Sequence, residues 1–419
     1  MGIESAILRD EVKAWIDRTG EADVLVGIPS YNSASTIGHV VRAVEAGFAK
    51  YFPDKKCVLV NSDGDSSDGT HEAVQNAVIE DYQPLLITQK ADMVSRIFTP
   101  YHGVPGKGSA FRTVFEIARA LKVKACAVVD SDLRSITPEW VDLLIRPVLD
   151  RGFDFVTPYY LRHKYDGTIT NSIVYPVTRA LYGRHIRQPI GGDFGFSGRL
   201  AEFYLTKDVW ETDVAKFGID IWMTTTAVAN DFKICQTFLG AKIHAPKEPS
   251  SDLSAMLTQV VSSVFMLMEE YFPIWKNVTS TSSIPMFGFQ FSVGLEPVNV
   301  NVQRMVEMFR LGLKELGDIW KEILSKESLA GLTEIAVSDP FIMSDELWAR
   351  AIYDFALSWH KQVMNREHML KSLTPLYLGK VASLVVEMEN SSAQEVEERL
   401  EALCVAFEKL KPYVIERWE

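Results

Sequence analysis

The chain has 419 residues, 47% of them hydrophobic and 23% charged, a globular composition in a length that exceeds one ordinary domain. A formal net charge of −12 with no basic cluster argues against a general nucleic-acid binder. An anionic substrate would need local help from a metal, a lysine or helix N-termini.

Residues 1–21 read as an N-terminal helix, without the basic-then-apolar order of a secretory signal; Met1 to Ala6 also misses the Ser/Thr of a myristoylation signal. Val24 to Ile28 is a short apolar strand halted by Pro29, and Ile37 to Phe48 has helical spacing with Ser33 or Ser35 as its cap. Lys56 to Val60 is the second strand, followed by the polar turn Asp63 to Thr70 and a helix to about Ile79. Leu85 to Ile87 is the third strand, Ser109 to Leu121 a helix, and Ala125 to Val129 the fourth strand. This alternation predicts an α/β fold with a mainly parallel sheet covered by helices and ligands gathered at the carboxyl ends of the strands.

Two polar segments lie at such ends, and a third precedes a helix. Asp130-Ser131-Asp132 follows the fourth strand, and two carboxylates two residues apart can hold a divalent metal, although such pairs also serve as turns and helix caps. The Asp63 to Thr70 turn is no EF-hand, because Asp68 and Val74 stand where Gly and Glu are required. It is either a solvated turn entering a helix or a place where Asp63 or Asp65 accepts an N–H from a nucleotide base. Gly106-Lys107-Gly108-Ser109 is no Walker A loop, since Tyr101 and Gly108 break the frame. It is either a plain loop before a helix or a cation with free backbone N–H groups suited to phosphate.

Taken in order, Ile28-Pro29-Ser30-Tyr31-Asn32, Ser67-Asp68-Gly69-Thr70, Gly106-Lys107-Gly108 and Val129-Asp130-Ser131-Asp132 resemble the nucleotide-sugar glycosyltransferases of the GT-A fold. More narrowly, Asp130 to Leu133, Thr137-Pro138, Gln188 to Asp193, Phe217-Gly218-Ile219-Asp220 and Leu239-Gly240 with His244 resemble the retaining glucosyl-3-phosphoglycerate and mannosyl-3-phosphoglycerate synthases. The related synthases that use unphosphorylated glycerate belong to the same group. The resemblance covers residues 22 to about 250, with the nucleotide-sugar half ending near 133 and the acceptor half after it.

The resemblance implies a hexosyltransferase moving glucose or mannose from a UDP- or GDP-sugar, with Mg²⁺ or Mn²⁺ as cofactor. Pro29, Ser30, Tyr31, Asn32 and Ser33 would surround the nucleotide, with Asp63 near the base and Lys107 near base or phosphate. Asp132 would be the direct metal ligand, and His244 would complete the protein share. Asp130, with its neighbour Ser131, would reach the ribose, or the metal through water. Gly191 and Gly192 would line the donor side, Asp193 would bind sugar hydroxyls, and Asp220 would position donor or acceptor. Gly167, Thr168, Thr170 and Asn171 stand where the phosphoglycerate enzymes carry Gly-Arg-x-Thr. Thr168 replaces the arginine, so a phosphate loses its planar donor pair unless Arg162, Lys164, Arg179 or Arg184 substitutes, and plain glycerate gains weight.

Leu253 to Met268, the longest uncharged apolar stretch, is too short for a membrane span and reads as a buried or interface helix. Val302 to Leu324, Asp345 to Leu370 and Ser392 to Leu410 have helical spacing, making 251–419 a mainly helical subdomain that leaves room for a homodimer. Four separated cysteines, Cys57, Cys126, Cys235 and Cys404, fit a reducing cytoplasm. A sugar-1-phosphate nucleotidylyltransferase is disfavoured, because Val26 to Thr36 lacks its glycine-rich, basic loop. A lipid-phosphate acceptor and a non-catalytic nucleotide-sugar binding protein stay open.

Overall fold

The structure, a computed structural model, describes residues 7–77, 94–101, 103–244 and 253–419. The strands β1 (Val24–Ser30), β2 (Cys57–Asp63), β3 (Val94–Pro100) and β4 (Ala125–Val128) run parallel to one another. The sheet continues through β6 (Phe194–Ser197), antiparallel to both its neighbours, then β5 (Phe155–Leu161), β7 (Ile234–Ala241) and the short β8 (Met286–Phe287). The order among the described residues is β3-β2-β1-β4-β6-β5-β7-β8. The chain thus forms a mixed, mainly parallel sheet flanked by helices, as expected.

Period-two alternation along β1 sends Val24, Val26 and Ile28 to one face, where they pack with Val40, Val41 and Val44 of α2 (Ile37–Tyr51) and with Trp140, Val141 and Leu144 of α5 (Pro138–Arg151). Gly27 points the other way, and a Cβ there would lie 2.7 Å from the Val114 methyls of α4 (Lys107–Ala120). Both faces of the parallel core are therefore covered, which is why its strands read as continuous apolar runs. The remaining helices of the first half are α1 (Asp10–Thr19) and α3 (Thr70–Gln75).

Several expected boundaries move. β1 does not stop at Pro29 but pairs with β2 through Ser30. The missing proline N–H breaks no ladder bond, because pairing with β4 ends at Gly27. Neither Ser33 nor Ser35 caps α2; the cap position is Thr36, and the Ser33 carbonyl accepts from the Thr36 and Ile37 amides. The expected strand at Leu85 to Ile87 and the helix end near Ile79 lie outside the described residues, and β3 comes instead from Val94–Pro100.

The chain divides into two compact units that are discontinuous in sequence. The sheet unit comprises Met1–Leu161, Ile190–Ala245 and Ile284–Gly294; it includes α7 (Gly198–Leu205) and α8 (Ile219–Ala229). The helical unit comprises Arg162–Pro189, Pro246–Ser283 and Leu295–Glu419. It opens with a π-helical turn, Thr170–Val174, that runs into α6 (Tyr175–Tyr182). Then come α9 (Ser254–Glu270), α10 (Phe272–Trp275), α11 (Val302–Glu315), α12 (Gly317–Ile323), α13 (Lys326–Ile335), α14 (Asp345–His360), α15 (Arg366–Glu387) and α16 (Ala393–Trp418). Two expected long helices are thus each broken in two, and α13 appears where none was expected. Ser392 begins α16 with a reciprocal capping box to Glu395. Among the described residues α15 alone is long and apolar enough to cross a membrane, and most of its apolar stretch is buried within the protein.

Candidate active site

The candidate donor residues all belong to the sheet unit and lie at the ends of β1, β2, β4 and β7, on the loops that leave them and in the turn before β6, with α4 and α8 beside them. The loops after β1, β2 and β4 are tied together by short polar side chains. Ser30 Oγ donates to Asp63 Oδ1 at 2.6 Å, Asn32 N–H donates to Ser66 Oγ at 2.8 Å, and Ser33 N–H donates to Thr70 Oγ1 at 2.8 Å. Ser33 Oγ and Ser131 Oγ share a hydrogen bond of 2.9 Å, and Thr36 Oγ1 donates to the Ser131 carbonyl at 2.9 Å. Asn32 holds a φ of +48°, the left-handed region that Asn tolerates better than most residues.

Asp63 is buried and spends its carboxylate largely on this scaffold. Oδ1 also accepts from Ser66 Oγ at 2.8 Å, and Oδ2 accepts from Ser66 N–H at 2.7 Å. The ring of Tyr31, two-thirds exposed, rests against Gly64, where a Cβ would come within 3.0 Å of Tyr31 Cδ2 and 3.2 Å of the Tyr101 hydroxyl. An exposed aromatic face over a side-chain-free floor suits a planar ring.

The Gly106 to Ser109 segment is not the open phosphate cradle that its glycines suggested. Gly106 N–H donates to the Tyr101 hydroxyl at 2.9 Å, and Gly108 N–H donates to the Lys216 carbonyl at 3.3 Å. A Cβ on Gly108 would sit 2.0 Å from the Val214 carbonyl oxygen, so close packing on Asp213–Ala215 demands the glycine. Lys107 instead turns its side chain inward, with Nζ at 2.8 Å from Asp130 Oδ1 and 3.2 Å from Asp220 Oδ2.

A second lysine completes a buried network. Lys242, the first residue past β7, places Nζ at 2.7 Å from Asp130 Oδ2, 2.8 Å from Asp193 Oδ2 and 2.8 Å from the Gly191 carbonyl. Asp193 is fully buried; its Oδ1 accepts the Asp130 N–H at 2.8 Å, and the Tyr160 hydroxyl donates to its Oδ2. Both Asp193 oxygens are therefore engaged within the protein.

Asp220, near the start of α8, is buried too. Its Oδ1 has no hydrogen-bond partner among the described residues.

Burial pushes the Asp130 carboxyl up, but Lys107 and Lys242 outweigh it and hold it well below the usual range. Burial raises both Asp193, against the pull of Lys242, and Asp220, against the pull of Lys107. Burial disfavours the Lys107 ammonium, yet Asp130 and Asp220 more than restore it.

The two candidate metal residues flank a backbone pairing. Arg134 N–H donates to the Ile243 carbonyl at 2.8 Å, and Ile243 N–H donates to Ser135 Oγ at 2.9 Å, which sets the Asp132 segment beside the His244 segment. Unlike Asp130, the half-buried Asp132 carboxylate forms no hydrogen bond or ion pair with a described residue. No group of three or more His, Cys, Asp or Glu side chains among the described residues has metal-holding geometry. A protein share of two ligands would leave the rest of the sphere to diphosphate and water oxygens.

The expected acceptor residues lie in the helical unit. Gly167 has φ +65°, and a Cβ added there would meet the Arg162 side chain, 3.5 Å from its Nη1, which itself pairs with Asp166 at 3.5 Å. The Thr168 and Tyr377 hydroxyls share a hydrogen bond. Asn171 Oδ1 accepts from Arg187 at 2.9 Å, and Thr170 is buried at the head of the π-helical turn. Of the cations considered as phosphate binders, Arg179 is paired with Glu401 and Glu408. Lys164 donates to the Met388 and Glu389 carbonyls, and Arg184 donates to Ser282 Oγ.

Lys242 and Tyr160 carry no motif that singles them out. A lysine just past the carboxyl end of an apolar strand was the available signal for Lys242; Tyr160 gave none.

Carboxylates and lysines gathered at the carboxyl ends of this mainly parallel sheet, with an Asp-x-Asp pair after β4, define a GT-A-type glycosyltransferase domain. The family model of the mannosylglycerate synthase GT domain matches residues 39–266, more than half of the chain, and the chain belongs to that family. Among solved structures the chain is similar to glucosyl-3-phosphoglycerate synthase from Mycobacterium tuberculosis. The complex with Mn²⁺, UDP and glucosyl-3-phosphoglycerate shows 20% identity, 62% of this chain and 82% of that chain covered, and a TM-score of 0.45. The complex with Mg²⁺ and UDP shows 19% identity, 60% and 83% covered, and a TM-score of 0.44. No curated protein matches the chain.

Proposed function

We propose that this glycosyltransferase moves glucose or mannose, with retention, from a UDP- or GDP-sugar to unphosphorylated D-glycerate, in the cytoplasm and with Mn²⁺ or Mg²⁺. The observation that carries the donor half is the Asp132 carboxylate, partnerless among the described residues while Asp130 beside it is bridged by two lysines. Asp132 and His244 would hold the metal, and the imidazole favours Mn²⁺ over Mg²⁺. The bound ion supplies charge stabilisation for the departing diphosphate.

Tyr31 stacks the base, and Asp130 keeps lone pairs for a ribose hydroxyl. Asp220 Oδ1 accepts a hydrogen bond from a donor or acceptor hydroxyl, the partner that a buried carboxylate oxygen otherwise lacks. With both Asp193 oxygens engaged, that carboxylate is not offered as a nucleophile. Departing-phosphate oxygen takes the proton of the attacking glycerate hydroxyl.

The acceptor assignment is supported by the cations of the helical unit. Arg179, Lys164 and Arg184 have protein partners, and Thr168 bonds Tyr377, so a phosphate finds no forked donor set among them. Arg162, beside Gly167 and paired with Asp166 on one side of its guanidinium, would offer a glycerate carboxylate one donor, with the Thr170 hydroxyl as second donor. The test is nucleotide diphosphate release from UDP- and GDP-linked glucose and mannose with Mn²⁺, comparing glycerate with 3-phosphoglycerate. Release stimulated by glycerate supports the reading; preference for 3-phosphoglycerate overturns the acceptor, and no acceptor-dependent release overturns the function.

A further inference from the structure

Lys242 stands where β7 ends, and its side chain is 4% exposed. An ammonium has three N–H donors, and three acceptors meet this one within 2.8 Å: Asp130 Oδ2, Asp193 Oδ2 and the Gly191 carbonyl. The Nζ also lies 5.2 Å from the centroid of the Tyr160 ring, whose hydroxyl donates to Asp193. These contacts join three separate stretches of chain: the end of β4, the turn before β6 and the end of β7. Asp193 closes the loop by accepting the Asp130 backbone N–H. Gly192, between the two tethered residues, has φ +88° and no room for a side chain, since a Cβ would fall 2.3 Å from Asp130 Oδ2 and 3.0 Å from Lys242 Nζ.

Burying one carboxylate and an ammonium, with most of a second carboxylate, is an inefficient route to stability, because desolvation offsets most of the attraction. Such a cluster is better suited to fixing one arrangement of groups. What it fixes here is the residue two positions before Asp132, together with the glycine turn that faces it.

We infer that Lys242 is a positioning residue for sugar transfer, an ammonium clamp that locks Asp130 and the Gly191–Asp193 turn into a single geometry and leaves Asp132 as the unencumbered carboxylate of the pair. The clamp's effect on turnover rests on the transferase reading above; its geometry does not. Removing the ammonium leaves Asp130 and Asp193 facing each other without their shared counterion, so Asp130 swings away and its N–H loses Asp193.

The test uses the full chain as wild type and as K242M, D193N, the K242M/D193N double variant and Y160F. Amide exchange is followed in the peptide containing Asp130, and kcat and KM are measured for donor and acceptor. K242M is expected to expose the Asp130 amide to faster exchange and to lower kcat by roughly 100-fold, with acceptor KM within about threefold of wild type. The double variant is expected to lose no more than K242M alone, since both changes break one unit. Losses that multiply independently would overturn the clamp, as would a K242M enzyme that melts earlier but keeps kcat within about threefold. Should K242M not fold, Y160F carries the test: faster Asp130 exchange with a kcat reduced about tenfold supports the clamp, and no change in both overturns it. If wild type turns over no donor, the transferase reading fails, and the exchange measurement alone decides the clamp.

Discussion

Replacing Gly192 with alanine isolates the role of the buried network from the ordinary cost of a left-handed glycine. At φ +88° an alanine costs about 1–2 kcal/mol in backbone energy. Its methyl would lie 2.3 Å from Asp130 Oδ2, where ordinary contact begins at 3.4 Å, so the carboxylate must retreat by about 1 Å. That retreat breaks the 2.7 Å contact with Lys242, while Lys107 still faces Asp130 and Asp193 still faces Lys242, so the loss is one charge-assisted hydrogen bond, worth about 1.5–3 kcal/mol. A displacement of about 1 Å in a positioned group lowers turnover roughly 100-fold. Gly152 is the control: its φ is +67°, but a Cβ added there would meet nothing within 4 Å, so G152A bears only the backbone term. Denaturant unfolding and initial rates of nucleotide diphosphate release would be measured on both. G192A is expected to lose about 2 kcal/mol more than G152A and about two orders of magnitude in kcat, with G152A as active as wild type. Equal behaviour of the two variants would refute the reasoning.

Asp132→Ala should weaken Mn²⁺ binding in the presence of UDP or GDP by at least about tenfold, since loss of an outer-shell partner alone costs that much; electron paramagnetic resonance titration reads it. Asp220→Asn removes a charge-assisted hydrogen bond worth about 2 kcal/mol, so kcat/KM should fall roughly thirtyfold while Mn²⁺ binding persists. Lys411 donates to the Leu181 and Val278 carbonyls, and burial pulls its pKa from 10.5 down to about 8. Between those values the unfolded chain binds more protons than the folded one, so this group adds stability as pH rises. Thermal melts at about pH 7 and about pH 9.5 should therefore show any advantage of K411M over wild type shrinking at the higher pH. An advantage that grows with pH contradicts the assignment.

The parallel half of the sheet was legible because buried strands such as Val24–Ser30 and Ala125–Val128 are continuous apolar runs broken by polar turns. Pro29 misled because its place beyond the last β1–β4 pair depends on register between strands, which a single strand does not encode. The helix break near Leu316 and the one before Arg366 were hidden because apolar spacing resumes on the far side of each. At the site, Asp130, Asp132, Asp193 and Asp220 stood out as carboxylates in a recognisable order. Their division of labour did not, since it depends on Lys242 and Tyr160, brought in from β7 and β5. The glycines at 106 and 108 looked like a phosphate loop, yet packing against Asp213–Ala215 explains them. Thr168 was visible as a departure, but its partner Tyr377 lies more than two hundred residues away.

The most direct test of the central claim is identification of the product. Carbon-13-labelled D-glycerate would be incubated with the wild-type chain, Mn²⁺ and each of UDP-glucose, GDP-glucose, UDP-mannose and GDP-mannose, and followed by nuclear magnetic resonance. A new α-glycosidic signal coupled to the glycerate carbon, formed with one of these α-linked donors, is the predicted result. Unchanged glycerate with every donor, or nucleotide diphosphate released at the same rate without glycerate, would contradict it.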